Sequence, residues 1–176
     1  MIQYRELCPQ EVCTELFHSF ARRQKVTKCW RKEKNGWVIK DDPFIDDWTE
    51  KEYQALLAEL KSTLLAGGFV YAAFCGGHLK GFVSVKPDLM DEKQTYLDLT
   101  NIHVSEEMRG QGIGKRLFLA AKEWAKKKGA KKLYLSAHSA VETQAFYKSM
   151  GCTEAEIYSQ IHVEQEPFDC QLECRL

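Results

Sequence analysis

The sequence predicts an α/β domain, because strand-type and helix-type apolar segments alternate along the chain and a glycine-rich turn joins one strand directly to one helix. At 176 residues the chain is about one domain long, and we expect residues 1–176 to form a single domain. Apolar residues make up 44% of it and charged residues 28%, as in an ordinary globular protein. Lys plus Arg and Asp plus Glu both number 25, so the charge indicates neither a nucleic-acid partner nor an anionic membrane.

The cysteine and histidine content predicts free thiols and no metal site. The seven cysteines are an odd number and include no C-x-x-C pair, which argues against a disulfide framework and a zinc site. The five histidines show no metal-ligand spacing. The N-terminus has no apolar signal region, and no apolar run approaches the length of a membrane span. We therefore expect a soluble, cytoplasmic protein.

The first third of the chain predicts a strand, a helix and a hairpin. Alternating apolar and polar residues predict a short strand over residues 2–7. Apolar residues at helical spacing predict an amphipathic helix over residues 11–22. The Asn35-Gly36 pair predicts a hairpin-like excursion over about residues 24–48. We expect Trp30 and Trp37 of the hairpin, together with Phe44, to cover the core rather than to line a pocket.

A second helix and a hairpin of central strands follow. Thr49 and Glu52 have the spacing of a capping box, which opens a helix that ends at Gly67-Gly68. Two apolar segments then flank Gly76-Gly77, which predicts an antiparallel β-hairpin.

The next strand, over residues 95–104, changes the side on which its apolar residues fall. Its leucines share one parity, whereas Ile102 and Val104 have the other. Because side chains alternate with a period of two, the change indicates an extra residue, a β-bulge near Thr100 or Asn101. A strand buried on both faces would also accept this pattern. We favour the bulge, which separates the strand from its neighbour and exposes backbone groups.

Residues 109–115, Arg-Gly-Gln-Gly-Ile-Gly-Lys, join that strand to a helix. Glycine lets a backbone turn sharply and approach a ligand, and the N–H groups of a helix N-terminus favour an anion. The turn therefore predicts a diphosphate site between Arg109 and Lys115. A dinucleotide fingerprint would need glycine at Lys115, and an NTPase P-loop would need other residues at Arg109 and Arg116. A turn without a ligand would need only one glycine.

The last third predicts two helices and further strands. The helix after the turn has one apolar face and one lysine-rich face, and it ends at Gly129. A strand over residues 132–136 follows. Residues 139–142, Ser-Ala-Val-Glu, predict a second capping box and a helix that ends at Gly151. Alternation of Cys and Leu with polar residues predicts a half-buried strand over residues 170–176.

Two separate motifs resemble the acetyl-coenzyme A signatures of the GCN5-related N-acetyltransferase (GNAT) superfamily. The turn at residues 109–115 has the Arg-Gly-x-Gly-x-Gly spacing of the first signature. Residues 145–147, Ala-Phe-Tyr, and the closing Gly151 are similar to the second. The order of elements is also similar over nearly the whole chain. The chain departs at Ala140, where the second signature often opens with asparagine, and in the length of the 24–48 excursion.

The resemblance implies a fold and a reaction. The fold is a mixed, mostly antiparallel central sheet of about seven strands, with a bulged and splayed central strand and helices on both faces. The reaction is transfer of an acetyl group from acetyl-coenzyme A, as cosubstrate, to a primary amine of a small-molecule or peptide acceptor by direct attack on the thioester. The alternative is a non-catalytic coenzyme A-binding sensor of the same fold.

The resemblance also implies roles for the residues of the two motifs. Tyr147 would protonate the leaving thiolate, although a buried core tyrosine would fit the same pattern. The bulged strand would hold the pantetheine arm and the thioester oxygen, and the glycine-rich turn would hold the diphosphate. The expected coenzyme-binding residues are Ile102, His103, Val104, Arg109, Gly110, Gln111, Gly112, Ile113, Gly114, Lys115 and Tyr147.

The general base stays open at this stage. Family members often use a glutamate on the bulged strand, but residues 95–104 contain none. With the bulge in place, Asp98, Asn101 and His103 would share one face, and His138 follows the fifth strand. A histidine could take the amine proton directly or through water, and ordinary solvated polar residues would look the same. The catalytic candidates are Tyr147, His138, His103 and Asp98.

Two acidic clusters bear on the acceptor. In the resembling family they border the acceptor cleft, so they would attract a cationic amine such as a polyamine or aminoglycoside, although solvated surface loops are equally acidic. We expect neither nucleic acid nor a membrane as partner, and the resemblance allows a homodimer. The clustered residues are Asp41, Asp42, Asp46, Asp47, Glu50, Glu164, Glu166 and Asp169.

Overall fold

A computed structural model describes residues 1–90 and 95–176 and contains one seven-stranded sheet and a separate two-stranded hairpin. The sheet order is β1-β4-β5-β6-β7-β9-β8, and all neighbouring pairs are antiparallel except β6–β7. The predicted α/β fold with a mixed, mostly antiparallel sheet is therefore confirmed. The elements are β1 (Ile2–Glu6), β2 (Arg23–Glu33), β3 (Gly36–Asp47), α1 (Glu50–Leu65), β4 (Phe69–Cys75), β5 (His78–Leu89), β6 (Tyr96–Val104), α2 (Ile113–Lys127), β7 (Lys132–Ala137), α3 (Val141–Ser149), β8 (Thr153–Glu154), α4 (Gln160–Gln165) and β9 (Cys170–Arg175).

Helices cover both faces of the sheet. Helices α2 and α3 pack on one face, where Leu117 and Phe118 are fully buried against the central strands. Helix α1 packs on the other face, where Leu60 and Phe82 are fully buried. Each face supplies its own apolar core, so the central strands are buried on both sides.

Strand β6 carries the predicted bulge. Ser84 of β5 lies opposite Asn101, whereas the next residue, Val85, lies opposite Leu99, so Thr100 is the extra residue. Strand β6 pairs with β7 over only three residues, which end at the Asp98–Tyr134 pair. Beyond that pair the two strands diverge. We call the opening between the later residues of β6 and β7 the split.

The predicted capping box at the start of α1 is present. The Thr49 N–H donates to Glu52 Oε2 at 2.7 Å, and the Glu52 N–H donates to Thr49 Oγ1 at 3.3 Å. The helix ends at Leu65, two residues before Gly67, whose φ of 85° suits only glycine well.

The predicted helix over residues 11–22 is wrong. The segment instead holds two short 3₁₀ turns, Pro9–Glu11 and Thr14–Phe17, separated by extended backbone. Its apolar side chains still face the core, since Val12 and Phe20 are buried in the cluster that α1 covers. The helical spacing of apolar residues here reflects a chain that follows the surface of that core.

The predicted capping box at residues 139–142 is also wrong. Ala140 is the N-cap of α3 and makes no side-chain cap. The Ser139 hydroxyl instead accepts a hydrogen bond from Arg31 Nη1 at 2.6 Å, and its carbonyl accepts from the Trp30 N–H at 2.8 Å. The hydroxyl that would have capped α3 is therefore bonded to Arg31 of strand β2 instead.

The last strand is buried on both faces, so the predicted half-buried strand is wrong. Gln171 and Glu173 are 2% and 4% exposed. Tyr134 donates its hydroxyl proton to Gln171, and Tyr96 donates to Glu173 Oε2 at 2.6 Å. Lys132 Nζ donates to Glu173 Oε1 at 2.7 Å, so these polar groups are paired rather than solvated.

The predicted hairpin at Asn35-Gly36 is formed by β2 and β3. Trp30 and Trp37 pack against the α2-side core, as expected. Phe44 does not, because it is 37% exposed and its ring lies 5.6 Å from that of His138. The hairpin therefore leans over the loop that follows β7.

Candidate functional site

A cleft of about 650 Å³ lies beside the split, between the end of β6, the glycine-rich turn and α3. Nearly all of the predicted coenzyme-binding residues line it. Gln111 does not, and its side-chain amide contacts the Met108 sulfur at 3.8 Å. The predicted residues that line the cleft are Ile102, His103, Val104, Arg109, Gly110, Gly112, Ile113, Gly114, Lys115 and Tyr147.

The glycine-rich turn needs its first two glycines for backbone reasons. Gly110 and Gly112 have φ values of 77° and 78°, a conformation that other residues adopt at a cost. Gly112 is the N-cap of α2, and no side chain caps the helix. The first turn of α2 also contains no acidic residue. Its N–H groups therefore remain suited to an anionic ligand.

The third glycine is required neither by its backbone conformation nor by packing, since a Cβ there would make only ordinary van der Waals contacts. A Cβ on Gly114 would lie 3.4 Å from the Phe146 ring and 3.7 Å from Val104. Helix α2 thus approaches β6 and α3 closely at the base of the cleft. Arg109 is fixed at the cleft edge by a hydrogen bond from its Nε to the Val104 carbonyl at 3.1 Å.

Tyr147 is placed as a neutral phenol at the cleft wall. Its side chain is nearly buried and packs against the Phe146 and Phe118 rings, with centroids 5.2 and 6.3 Å away. Burial raises the pKa of Tyr147 above its ordinary value. Among residues 1–90 and 95–176 no protein group hydrogen-bonds its hydroxyl, which leaves the proton available to a ligand in the cleft.

The bulge places Asp98, Asn101 and His103 on the α1 side of β6, as predicted. The Asn101 amide donates to Ser84 Oγ at 2.9 Å, and the His103 ring lies against Trp48 and Phe82. Burial, and then the charges of Arg22 and Arg109, hold the pKa of His103 well below its ordinary value. His103 is therefore neutral near pH 7 but a weak base.

The other two candidates for the base have their own partners. Asp98 is buried, and its Oδ2 lies 2.9 Å from His162 Nε2. His138 Nδ1 accepts a hydrogen bond from the Ala140 N–H at 3.0 Å, and burial lowers the pKa of this histidine. The proton of a neutral His138 is then on Nε2, so its free nitrogen donates rather than accepts.

The sequence reasoning missed several residues near the site, and two of them, Arg22 and His162, have partners that are distant in the chain. Arg22 lines the cleft, forms an ion pair with Asp46 and lies over the Trp48 ring at 5.2 Å. His162 of α4 stacks on Tyr134, and its hydrogen bond to Asp98 raises its pKa. No local sequence pattern marks either of them, because their partners are distant in the chain.

In the sequence Asp169 is only one member of an acidic cluster, but in the structure its carboxyl is partly buried and hydrogen-bonded. Its Oδ2 accepts a hydrogen bond from Ser136 Oγ at 3.0 Å. Burial raises the pKa of this carboxyl to about 6. In the described residues 1–90 and 95–176, no three His, Cys, Asp or Glu side chains are grouped as metal ligands would be.

Comparison with known proteins identifies the family and the fold of this chain. The profile of the Acetyltransferase (GNAT) family matches residues 28–152. The chain belongs to this family. The resemblance drawn from the two motifs is thus confirmed, together with the class of acetyl-coenzyme A-dependent N-acetyltransferases and acetyl-coenzyme A as the acetyl donor of that class.

The similar proteins differ in the acceptors for which they are named. One from Bacillus subtilis (strain 168), named as a ribosomal protein bS18-alanine N-acetyltransferase, is 38% identical over 76 residues. That match covers 43% of this chain and 47% of the relative, so the chain spans about half the length of the curated relative it matches.

Solved structures match over the whole chain. A streptothricin acetyltransferase from Bacillus anthracis str. Ames, in complex with acetyl-coenzyme A, has a TM-score of 0.72 at 17% identity and covers 100% of this chain and 99% of its own. A nourseothricin acetyltransferase has a TM-score of 0.71 at 18% identity over 99% and 98%. At these identities the likeness establishes the fold alone. None of the helices within residues 1–90 and 95–176 has both the length and the apolar character to cross a membrane.

Proposed function

We propose that this chain transfers the acetyl group of acetyl-coenzyme A directly to a primary amine of a small-molecule or peptide acceptor. The observation that carries the proposal is the convergence of three features on one cleft. These are the uncapped N-terminus of α2, the split beside the bulged strand and the unpaired hydroxyl of Tyr147.

The residues of the cleft fit the coenzyme. The backbone N–H groups at Gly110, Gly112 and Gly114 would hold its diphosphate, with Arg109 and Lys115 adding positive charge. The diverging part of β6, at Ile102 to Val104, would pair with the pantetheine arm and polarise the thioester oxygen. Tyr147 would give its proton to the departing thiolate, a role that its raised pKa permits because the phenol stays protonated.

The acceptor is expected to be a cationic amine. The relatives named above include one named for the N-terminal modification of a protein and two named for antibiotics, so the family alone does not choose between a peptide and a small molecule. In this chain, carboxylates from β3 and from the segment before β9 border the α1 side of the split. They favour an acceptor that carries positive charge at neutral pH.

Ligand-dependent stability tests the first half of the proposal. Coenzyme A at about a hundred times its dissociation constant should stabilise the protein by roughly 2.7 kcal/mol, whereas NAD and ATP at equal concentrations should not. Thiol release from acetyl-coenzyme A is then measured across a panel of polyamines, aminoglycosides, streptothricin-type antibiotics and alanine-terminated peptides. Stabilisation without amine-dependent thiol release from any acceptor would support the alternative, a coenzyme A-binding sensor.

A further inference from the structure

Asp169 lies beside the arm of the split that β7 forms. Ser136, which donates to its Oδ2 at 3.0 Å, lies two residues beyond Tyr134, the last β7 residue that pairs with β6. Ser136 has the same parity as Tyr134, whose ring stacks on His162 on the α1 side of the sheet. The Asp169 carboxylate is therefore held on the α1 side of the opening, opposite the coenzyme cleft.

The surroundings of Asp169 compensate its charge only in part. The charged and titratable groups that face it are Glu166 from its own segment, His162 of α4, Asp46 of β3, Tyr147 of α3 and Cys170 of β9. In the part of the chain that the structure describes, His162 attracts the carboxylate, but no cationic side chain lies within ion-pair distance of it. Asp46 already has Arg22 as its partner, and the charge of Asp169 still contributes to the raised pKa of the Tyr147 phenol.

A second acceptor atom on the same side of the sheet also lacks a donor. Asp98 has a side chain only 6% exposed, and Oδ1 has no hydrogen-bond partner. Its other oxygen lies 2.9 Å from His162 Nε2 and 4.0 Å from Lys86 Nζ, and His162 in turn interacts electrostatically with Asp169. A buried carboxylate oxygen without a donor is costly, so a ligand that brings N–H groups to this side of the sheet would relieve Asp98 as well.

We propose that Asp169 binds the ammonium group of the acceptor and takes the proton that the nitrogen must lose before it attacks the thioester. This inference rests on the proposed function and deepens it, because it assigns the acceptor to protonated aliphatic amines. The ammonium gives one proton to Asp169, and the freed electron pair forms the C–N bond. The C–S bond then breaks, and the thiolate takes the proton of Tyr147. The phenolate is reprotonated by the second proton of the nitrogen, and Asp169 releases its own to water.

The substitution Asp169→Asn keeps the shape of the side chain and removes the base, and Glu123→Gln is the matched control. Glu123 is an exposed carboxylate on α2, outside both acidic clusters and the cleft, and its loss removes the same charge. For the wild type, kcat/KM with a cationic amine should fall as the pH drops through about 6, because Asp169 becomes protonated. Asp169→Asn should lower kcat/KM by about 10²-fold or more and abolish that acid limb, whereas Glu123→Gln should keep both.

Ser136→Ala distinguishes a role of Asp169 as the base from a purely structural role of Asp169. The Ser136 hydrogen bond lowers the pKa of Asp169, so its removal should move the acid limb to higher pH. The stability of each variant without coenzyme A reports on its folding, and the increase in stability with coenzyme A reports on the coenzyme cleft.

The outcomes separate the two proposals. An Asp169→Asn enzyme with a wild-type rate and acid limb overturns the role of Asp169 and leaves the acetyltransferase function intact. If Asp169→Asn does not fold, an acid limb of kcat/KM at the wild-type pH in Ser136→Ala overturns the role of Asp169 instead. A wild type that binds coenzyme A but acetylates no amine overturns the proposed function and this inference with it.

Discussion

Gly112→Ala tests whether backbone N–H groups of the glycine-rich turn hold the coenzyme. Gly112 has a φ of 78°, and a Cβ there would meet no heavy atom within 4 Å. The substitution therefore introduces backbone strain and no collision. An L-residue in this left-handed conformation costs about 1–2 kcal/mol. The strain either remains, and lowers stability, or relaxes by turning the N–H groups at the start of α2 away from the cleft.

Gly129→Ala is the matched control at the opposite end of the same helix. Its φ is 88°, and its Cβ would also lie in open space. Both variants should lose about 1–2 kcal/mol of unfolding free energy, which corresponds to a Tm decrease of about 3–6 °C for a chain of this size. A difference between them in coenzyme binding then reports on position alone, because the strain is the same.

Isothermal titration with coenzyme A is the deciding assay. A hydrogen bond to a charged group contributes about 1.5–3 kcal/mol, so displacement of one N–H group from the diphosphate should raise Kd by about 10- to 100-fold in Gly112→Ala. Gly129→Ala should bind as the wild type does. Equal affinity in both variants, with both destabilised, would refute the reasoning that the turn at Gly112 is the diphosphate site.

Three further predictions concern single side chains. Tyr147→Phe should lower kcat by about 10²-fold without changing coenzyme A-dependent stabilisation, and an unchanged kcat contradicts the proton-donor role. Asp169→Asn should raise the free energy of unfolding at pH 7 by about 1 kcal/mol, after a discount for solvent screening, because a pKa raised from 3.8 to about 6 means that ionisation of Asp169 destabilises the fold. Below pH 4 the carboxyl is protonated in both the folded and the unfolded wild type, so the melting curves of wild type and variant should converge there. Glu154, whose pKa Lys32 lowers to about 2, should release Trp37 only as the pH falls through about 2; tryptophan fluorescence should show this change, and Glu154→Gln should remove it.

The parts of the fold that were predicted correctly have local causes. Each depends on residues only a few positions apart in the chain. They are the positive φ at the turn glycines, the reciprocal hydrogen bonds of Thr49 and Glu52, and the change of side-chain parity across Thr100. Such causes can be read from the chain itself. The incorrect elements depend on distant partners. Ser139 has the sequence of a cap, but Arg31, which is 108 residues away, takes its hydroxyl.

The same distinction applies to the site. The cleft is formed mainly by three continuous segments, the end of β6, the glycine-rich turn and α3, and sequence reasoning placed ten of its lining residues. The acceptor side is assembled from pairs that lie far apart in the chain. Arg22 pairs with Asp46 across 24 residues, His162 with Asp98 across 64, and Ser136 with Asp169 across 33. No spacing rule marks these pairs, because only the folded sheet brings them together.

The split joins two sides of the sheet that differ in charge. On the α2 side, Arg109 and Lys115 line the cleft, which suits the anionic coenzyme. On the α1 side, Asp169 has no ion-pair partner in the described part of the chain, and its charge is offset by His162 only in part, which suits a cationic amine. The extra residue, Thr100, shifts the alternation of the later β6 side chains by one position. The strand can therefore present different side chains to the two sides without interrupting the core. In the proposed reaction the thioester is held from the cationic side while the amine approaches from the anionic side. Under that proposal the counter-ion of Asp169 is the substrate, which accounts for a carboxylate that is only partly compensated and is tolerated at a cost in stability.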